Sequence, residues 1–150
     1  GRQDNILKEA LKSVRDKYDV CIVDNPPDSN VPVLNGLEII NDVIAVTLPN
    51  RFSLNGIEQL ENEIRNYNTI LKLKIKIRGI LVNQFTSTSS CYEIIEELKS
   101  KGKSVILISE ELPEMIGMSD RMLIMQNGKI TAEFKRSPEL KEEDIIQYMI

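Results

Sequence analysis

Residues 18–48 read YDVCIVDNPPDSNVPVLNGLEIINDVIAVTL, and this stretch decides the fold class. It holds two short runs rich in β-branched residues, Asp19–Asp24 and Asp42–Leu48, and each is followed by a proline-containing turn. Such runs are typical of strands that are buried on both faces of a parallel sheet. A short helix is predicted between them, over Gly36–Asn41. Two strands joined by a helix predict an α/β domain.

The rest of the chain continues the alternation of helix and strand patterns. Further helices are predicted over about Asn5–Tyr18, from a cap at Ser53 to about Leu71, and over Tyr92–Lys101, Glu111–Met118 and Lys141–Ile150. Further strands are predicted over Ile75–Phe85, Lys103–Ser109 and Arg121–Gln126, and Asn127-Gly128 predicts a hairpin turn into Lys129–Phe134. We therefore expect one three-layer α/β domain over residues 1–150, with a mainly parallel sheet, flanking helices, a C-terminal β-hairpin and a closing helix. The order of the strands stays open.

Composition and charge exclude several classes of protein. The chain has 150 residues, of which 28% are charged and 41% hydrophobic, and its formal net charge is −4. This argues against a disordered chain, and no apolar run approaches the ~18 residues that a membrane span needs. The acidic balance gives no general attraction to phosphates. We expect a protein that is not inserted in a membrane and does not bind nucleic acid directly.

The cysteine and histidine content limits the chemistry. There are two cysteines without a CxxC pair and no secretion signal pattern at the N-terminus, which indicates a reduced, cytoplasmic protein. The sequence has no histidine. Histidine-based catalytic triads and zinc sites are therefore excluded.

The run CIVDNPP ends in a carboxylate that has the form of a Walker B aspartate. At the carboxyl edge of a parallel sheet such a carboxylate reaches the water shell of a nucleotide-bound Mg²⁺. Asp24 is accordingly the candidate Mg²⁺ residue, acting through water. The alternative is that Asp24 only ends a strand and accepts hydrogen bonds from the next turn. Spacing alone does not decide between the two.

Residues 5–90 resemble the C-terminal half of a ParA/MinD-type partition ATPase, a deviant-Walker P-loop family. The residues that carry the resemblance are the strand ending Asp24-x-Pro26-Pro27 and the strand end VN at Asn83. The resemblance implies that Asp24 is the Walker B aspartate, that Asn83 contacts adenine, and that the cofactors are Mg²⁺ and ATP or ADP. One departure is severe, because the sequence contains no GxxxxGK[ST] phosphate loop.

Residues 91–150 resemble the C-terminal end of an ATP-binding protein from a ribose/galactose/xylose-type sugar-import ABC transporter. The residues that carry it are ISEELPE, then MSDR, then a strand, the NGKI hairpin and a closing helix. In that family the position of Glu110 usually holds a histidine that senses the γ-phosphate, so the resemblance makes Glu110 a further nucleotide-binding candidate. The LSGGQ signature is absent from this sequence. The resemblance implies a transporter partner, as the first one implies a partition-system partner.

The two resemblances meet near Thr86–Cys91. We therefore expect a composite P-loop-NTPase-like domain, arising from a natural fusion or an engineered chimera and truncated with respect to both families. Without a phosphate loop it is not expected to be catalytically competent, and it is expected to self-associate as a homodimer through an unpaired sheet edge. The alternative is a weak ATP- or ADP-binding domain that uses Asp24 and Asn83. A third interpretation is an interaction module that docks on a transporter or partition-system partner.

Overall fold

A computed structural model describes residues 6–26, 31–86 and 88–150. From residue 31 to residue 126 the described helices and strands alternate, as the sequence predicts. The helices are α1 Ile6–Leu11, α2 Val31–Leu37, α3 Arg51–Leu71, α4 Ser89–Ser100, α5 Leu112–Met118 and α6 Glu142–Ile146, and a 3-10 turn covers Arg15–Lys17. The strands are β1 Asp42–Thr47, β2 Lys76–Val82, β3 Val105–Leu107, β4 Arg121–Gln126 and β5 Lys129–Lys135.

Strands β1, β2 and β3 form a three-stranded sheet in that order. At one end of β1 the Asn41 carbonyl accepts a hydrogen bond from the Lys76 amide (3.4 Å), and at the other end the Thr47 carbonyl accepts one from the Asn83 amide (3.0 Å). The residue numbers rise together along both strands, so the pair is parallel. The predicted α/β class, with a parallel sheet flanked by helices, is confirmed.

Strands β4 and β5 form a separate antiparallel sheet, the predicted hairpin. Its register runs from Arg121 opposite Lys135 to Gln126 opposite Lys129, with an irregularity between Ile124 and Met125. The turn residues Asn127 and Gly128 have φ of 49° and 76°. Two successive positive φ values define the turn whose twist matches an antiparallel pair, which is why Asn-Gly predicts it.

The chain divides into two compact units, Gly1–Ala45 with Phe52–Ile80 and Val46–Arg51 with Leu81–Ile150. The core of the first unit is built on Leu37, Ile64 and Ile75. Helix α3 supplies much of it, because its apolar residues recur at helical spacing. Partly buried residues that pack against this core are Val33, Ile40, Val43, Leu60, Tyr67, Leu73 and Ile77.

The second unit has its own apolar clusters. Helix α4 buries Cys91, Ile94, Ile95 and Leu98, and Gly102 follows it with φ of 69°, as expected of a residue that ends a helix. The hairpin packs on α5 and α6 through a cluster of buried residues. That cluster consists of Met122, Ile124 and Ile145, with Leu112, Met115, Ile116, Ala132, Phe134 and Leu140 against it.

The strand predicted over Asp19–Asp24 is wrong. This segment is neither helix nor strand, and Val20 and Ile22 are 76% and 90% exposed. A β-branched run becomes a strand only when a neighbouring strand accepts its backbone hydrogen bonds, and β1 pairs with β2 instead. The composition of the segment is that of a strand, but composition does not specify whether a partner strand is present, and the described sheet provides none for this segment.

Several boundaries also differ from the predictions. The helix expected over Gly36–Asn41 is instead α2, which ends at Leu37, and Ser53 lies inside α3 rather than capping it. The first and last helices are shorter than expected. Helix ends depend on local capping and on the surface available for packing, which hydrophobic spacing does not specify.

Candidate functional site

The carboxyl ends of β1, β2 and β3 meet at one edge of the sheet. The Asn83 amide donates to the Thr47 carbonyl, and the Ile108 amide donates to the Val82 carbonyl at 3.2 Å. In a parallel sheet these bonds place Leu48, Asn83 and Ile108 side by side in one row. Ligands of α/β proteins bind at this kind of edge, so it is the first place to look for a site.

Asn83 lies at this edge and is exposed. Its side-chain oxygen accepts a hydrogen bond from the Gln84 amide at 3.0 Å, and Gln84 has φ of 55°. A positive φ is unfavourable for glutamine, and the Asn83 side chain stabilises the turn that requires it. The Asn83 side chain therefore has a local structural role at the position where the resemblance implies adenine contact.

Glu110 follows β3 at the same edge and is also exposed. Beside it, the Ser109 hydroxyl accepts a hydrogen bond from the Glu111 amide at 3.1 Å. This turn carries the chain into α5. The structure thus brings Asn83 and Glu110 to the ends of neighbouring strands.

Asp24 is placed differently. It is exposed and follows a segment that is not a strand, so no strand directs its carboxylate. Next to it, the Asn25 side chain donates to the Val23 carbonyl at 3.3 Å. Pro26 is exposed, and Pro27 lies outside the described residues.

A magnesium nucleotide needs a metal site and a loop that binds its phosphates. Within residues 6–26, 31–86 and 88–150, no group of three His, Cys, Asp or Glu side chains could hold a metal ion. The triphosphate of a P-loop protein is bound by backbone amides of a glycine-rich loop and by its lysine, and the sequence has no such loop. The side chains of Asp24, Asn83 and Glu110 are each exposed.

Sequence reasoning missed the surroundings of Cys91, in the first turn of α4. The Thr88 hydroxyl donates to the Cys91 sulfur at 3.0 Å and accepts from the Cys91 amide at 3.4 Å, and the Thr86 hydroxyl lies 3.5 Å from the sulfur. The sulfur also lies 3.5 Å from the Pro49 carbonyl oxygen. Burial raises the pKa of the Cys91 thiol, but the hydrogen bonds from Thr88 and Thr86 outweigh it and lower that pKa. The signal in the sequence is a threonine cap three residues before a cysteine.

Two further features lie outside this edge. A depression of about 590 Å³ is formed by α5, α6 and the loop before α6, and its lining holds none of the predicted site residues. Among the described helices, none is both long enough and apolar enough to cross a bilayer.

The parallel sheet with flanking helices defines the class, an α/β domain of the P-loop-NTPase-like kind. A family model described as an AAA domain matches residues 1–77, and the chain belongs to this family.

About half of the chain is also similar to sugar-import proteins. It is 44% identical over 84 residues to the xylose import ATP-binding protein XylG of Geobacillus kaustophilus, which is 56% of this chain and 16% of that protein. It is 38% identical over 81 residues to the ribose import ATP-binding protein RbsA of Clostridium tetani, 54% of this chain and 15% of that protein. The RbsA of Clostridium perfringens is 42% identical over 73 residues, 49% of this chain and 14% of that protein. The chain therefore spans about a sixth of the length of these relatives.

Proposed function

We propose that these 150 residues form a P-loop-NTPase-like domain that does not hydrolyse ATP by itself and that self-associates through an unpaired sheet edge. In this proposal one composite domain joins a segment like a ParA/MinD-type partition ATPase, over residues 5–90, to a segment like a sugar-import ABC ATPase, over residues 91–150. The junction lies near Thr86–Cys91, and the free, unpaired cysteines suit a reducing cytoplasm.

One observation carries the proposal: Asp24, the Walker-B-like carboxylate, does not end a strand. A Mg²⁺-bound nucleotide needs that carboxylate beside a phosphate loop, and the sequence contains no GxxxxGK[ST] run. Each charge-assisted hydrogen bond to phosphate is worth roughly 1.5–3 kcal/mol, so the loss of a lysine and several amides removes most of a micromolar affinity. The rate suffers more, because the missing groups stabilise the transition state of phosphoryl transfer.

The test is phosphate release from Mg-ATP during prolonged incubation. The wild-type chain, Asp24→Ala and the control Asp16→Ala, another exposed aspartate, are purified in the same way. We expect the three rates to be equal and to fall below one turnover per chain. Turnover above that level in the wild type and in Asp16→Ala, lost in Asp24→Ala, would overturn the proposal.

A second candidate is weak ATP or ADP binding through Asp24 and Asn83, with Mg²⁺ held by Asp24 through water. It is favoured by the names of the relatives, which are ATP-binding proteins, and by the exposure of Asn83 at the sheet edge. Calorimetric titration with each nucleotide tests it, with Asn83→Ala and the control Asn66→Ala. Heat that is lost only in Asn83→Ala supports this candidate, and no heat at millimolar nucleotide dismisses it.

The same relatives are named as import proteins, which supports a third candidate: an interaction module bound to a transporter or partition-system partner. Pull-down with the membrane subunits of a sugar importer and with the DNA-binding protein of a partition system tests this. Retention on either supports the candidate, and a chain that binds neither contradicts it.

A further inference from the structure

The Asp19–Asp24 segment has the sequence of a strand, but it has no partner strand among residues 6–26, 31–86 and 88–150. Its apolar residues Val20 and Ile22 are 76% and 90% exposed, and Tyr18 just before it is 70% exposed. Within the described part of the chain, no backbone hydrogen bond joins residues 19–24 to another element. The Val23 carbonyl accepts a hydrogen bond from the Asn25 side chain, and no ladder from this segment to a neighbouring strand is described.

Strand β1 has an outer edge to which no described strand is paired. It is the outer strand of the described β1-β2-β3 sheet, so the backbone groups on its outer side have no ladder. Its residues Ile44 and Val46 are 54% and 69% exposed, in the same alternating pattern as Val20 and Ile22. An open, apolar edge strand is a template for an additional strand.

We propose that two copies of this chain form a dimer in which the Asp19–Asp24 segment of each copy adds as a strand to the β1 edge of the other. This rests on the self-association in the proposed function and names the segments that carry it. Both segments have six residues, so an added strand covers the whole of β1. Because every copy supplies one strand and one edge, a two-fold dimer satisfies both and leaves neither open to a third copy.

The C-terminal end of the segment lies against α2 of its own copy. A Cβ on Gly36 of α2 would lie 3.7 Å from Val23 and 3.0 Å from the side-chain oxygen of Asn25, so the end of the segment packs closely on α2. The side chains of Val20 and Ile22 meanwhile stay in solvent. A second copy can approach these exposed residues without displacing that packing.

The surface area buried in the dimer sets the expected affinity between the two copies. Each strand contributes one lateral edge, here called a flank, to each pairing. Six residues at about 3.3 Å each make a flank about 20 Å long. With a side-chain depth of about 10 Å, each flank buries about 200 Å². Four flanks meet in the dimer, which gives about 800 Å², below the roughly 1,200 Å² of stable interfaces and in the range of weak, transient ones. The main-chain ladder adds directional affinity, as in other strand additions. We therefore expect a dimer that dissociates on dilution.

Light scattering during size exclusion over a wide range of concentration measures this equilibrium. The double variant Cys21→Pro/Ile22→Pro removes two neighbouring backbone amides, which in a strand point to opposite sides. Both residues are exposed, so the folded monomer should keep its far-UV circular dichroism. We expect the dissociation constant to rise more than about tenfold. The matched control Cys21→Ser/Ile22→Val keeps the amides and should dimerise like the wild type.

Disulfide trapping identifies the partners, with Cys21→Ser in every protein and Cys91, which is buried, left in place. A tagged Val20→Cys chain is mixed with an untagged chain carrying Ile44→Cys or Val46→Cys, or with the control Phe52→Cys, an 85% exposed residue of α3. We expect a mixed dimer on oxidation with at least one of the two β1 cysteines and none with the control.

A monomer at all concentrations overturns the inference, and so does a mixture that forms no mixed dimer. An internal disulfide in one chain carrying Val20→Cys and Val46→Cys, formed faster than the mixed one, also overturns it, because it shows pairing within a copy. These results are separable from ATP turnover. A monomer that does not hydrolyse ATP would refute the proposed self-association and this inference, but not the proposed lack of activity. A dimer that hydrolyses ATP would refute only the proposed lack of activity.

Discussion

Asn68 of α3 forms two hydrogen bonds with the backbone of Ile75. Its side-chain amide donates to the Ile75 carbonyl and its side-chain oxygen accepts from the Ile75 amide, both at 2.9 Å. One helix side chain thereby satisfies the backbone of the residue just before β2. It fixes where the chain leaves α3 and enters the parallel sheet.

Asn68→Ala should lower the free energy of unfolding by about 2 kcal/mol, because it leaves a partly buried amide and carbonyl without partners. Urea unfolding followed by circular dichroism measures the change. Asn66→Ala, on an exposed position of the same helix, is the control and should change it by less than about 0.5 kcal/mol. Equal effects of the two substitutions would show that the bonds to Ile75 do not contribute.

Two glycine substitutions should act in opposite directions. Gly128→Ala in the hairpin turn should destabilise by about 1 kcal/mol, because φ of 76° is unfavourable for an L side chain. Gly56→Ala in α3 should stabilise by up to about 1 kcal/mol, since no atom lies within 4 Å of the added methyl group and alanine favours the helix. Thermal unfolding of both variants against the wild type checks the signs. A stabilising Gly128→Ala would contradict the described turn.

Ile145 should be the residue by which α6 packs on the hairpin. It is fully buried with Met122 and Ile124, while its neighbour Ile146 is 42% exposed. Ile145→Ala should cost about 2–4 kcal/mol and Ile146→Ala less than half as much, because only the first leaves a cavity. Denaturant unfolding of the pair measures both values. Comparable costs would mean that α6 does not pack through Ile145.

The Cys91 thiol should ionise below the usual pH for cysteine. In a Cys21→Ser background, absorbance of the thiolate at alkaline pH reports Cys91 alone. We expect Thr88→Val to raise the pKa of Cys91, because it removes the hydroxyl that donates to the sulfur, and Thr88→Ser to restore it. A midpoint that Thr88→Val leaves unchanged would contradict the described hydrogen bond.

The lowered pKa also fixes the direction of a pH effect on stability. The folded state favours the thiolate more than the unfolded state does, so the unfolded chain binds more protons between the two pKa values. The contribution of Cys91 is therefore fully present above the unfolded pKa and is lost as the pH falls through the folded pKa. The stability of Cys21→Ser relative to Cys21→Ser/Cys91→Ser should rise with pH across that window, as measured by urea unfolding at each pH. A decrease would contradict the sign.

The accuracy of the sequence predictions follows from how local each signal is. The Asn127-Gly128 turn acts through its own backbone conformation, so its position was predicted correctly. The stripe on α3 that includes Ile57 and Ile64 needs only helical spacing, and both residues are buried. The candidate site could be predicted only as a set of residues at strand ends. Asn83 and Glu110 do follow neighbouring strands, whereas Asp24 depended on a strand that did not form.

The sequence by itself determined the α/β class, the hairpin and the closing helix, because periodicity and turn chemistry act over a few residues. Only the tertiary structure decided that, within the part of the chain that it describes, Asp19–Asp24 pairs with no strand and β1 is an edge strand, and that Thr86 and Thr88 contact the Cys91 sulfur. These features depend on which distant segment supplies a hydrogen-bond partner. A strand or a thiol site forms only when that partner is in place, and the local sequence does not specify the partner.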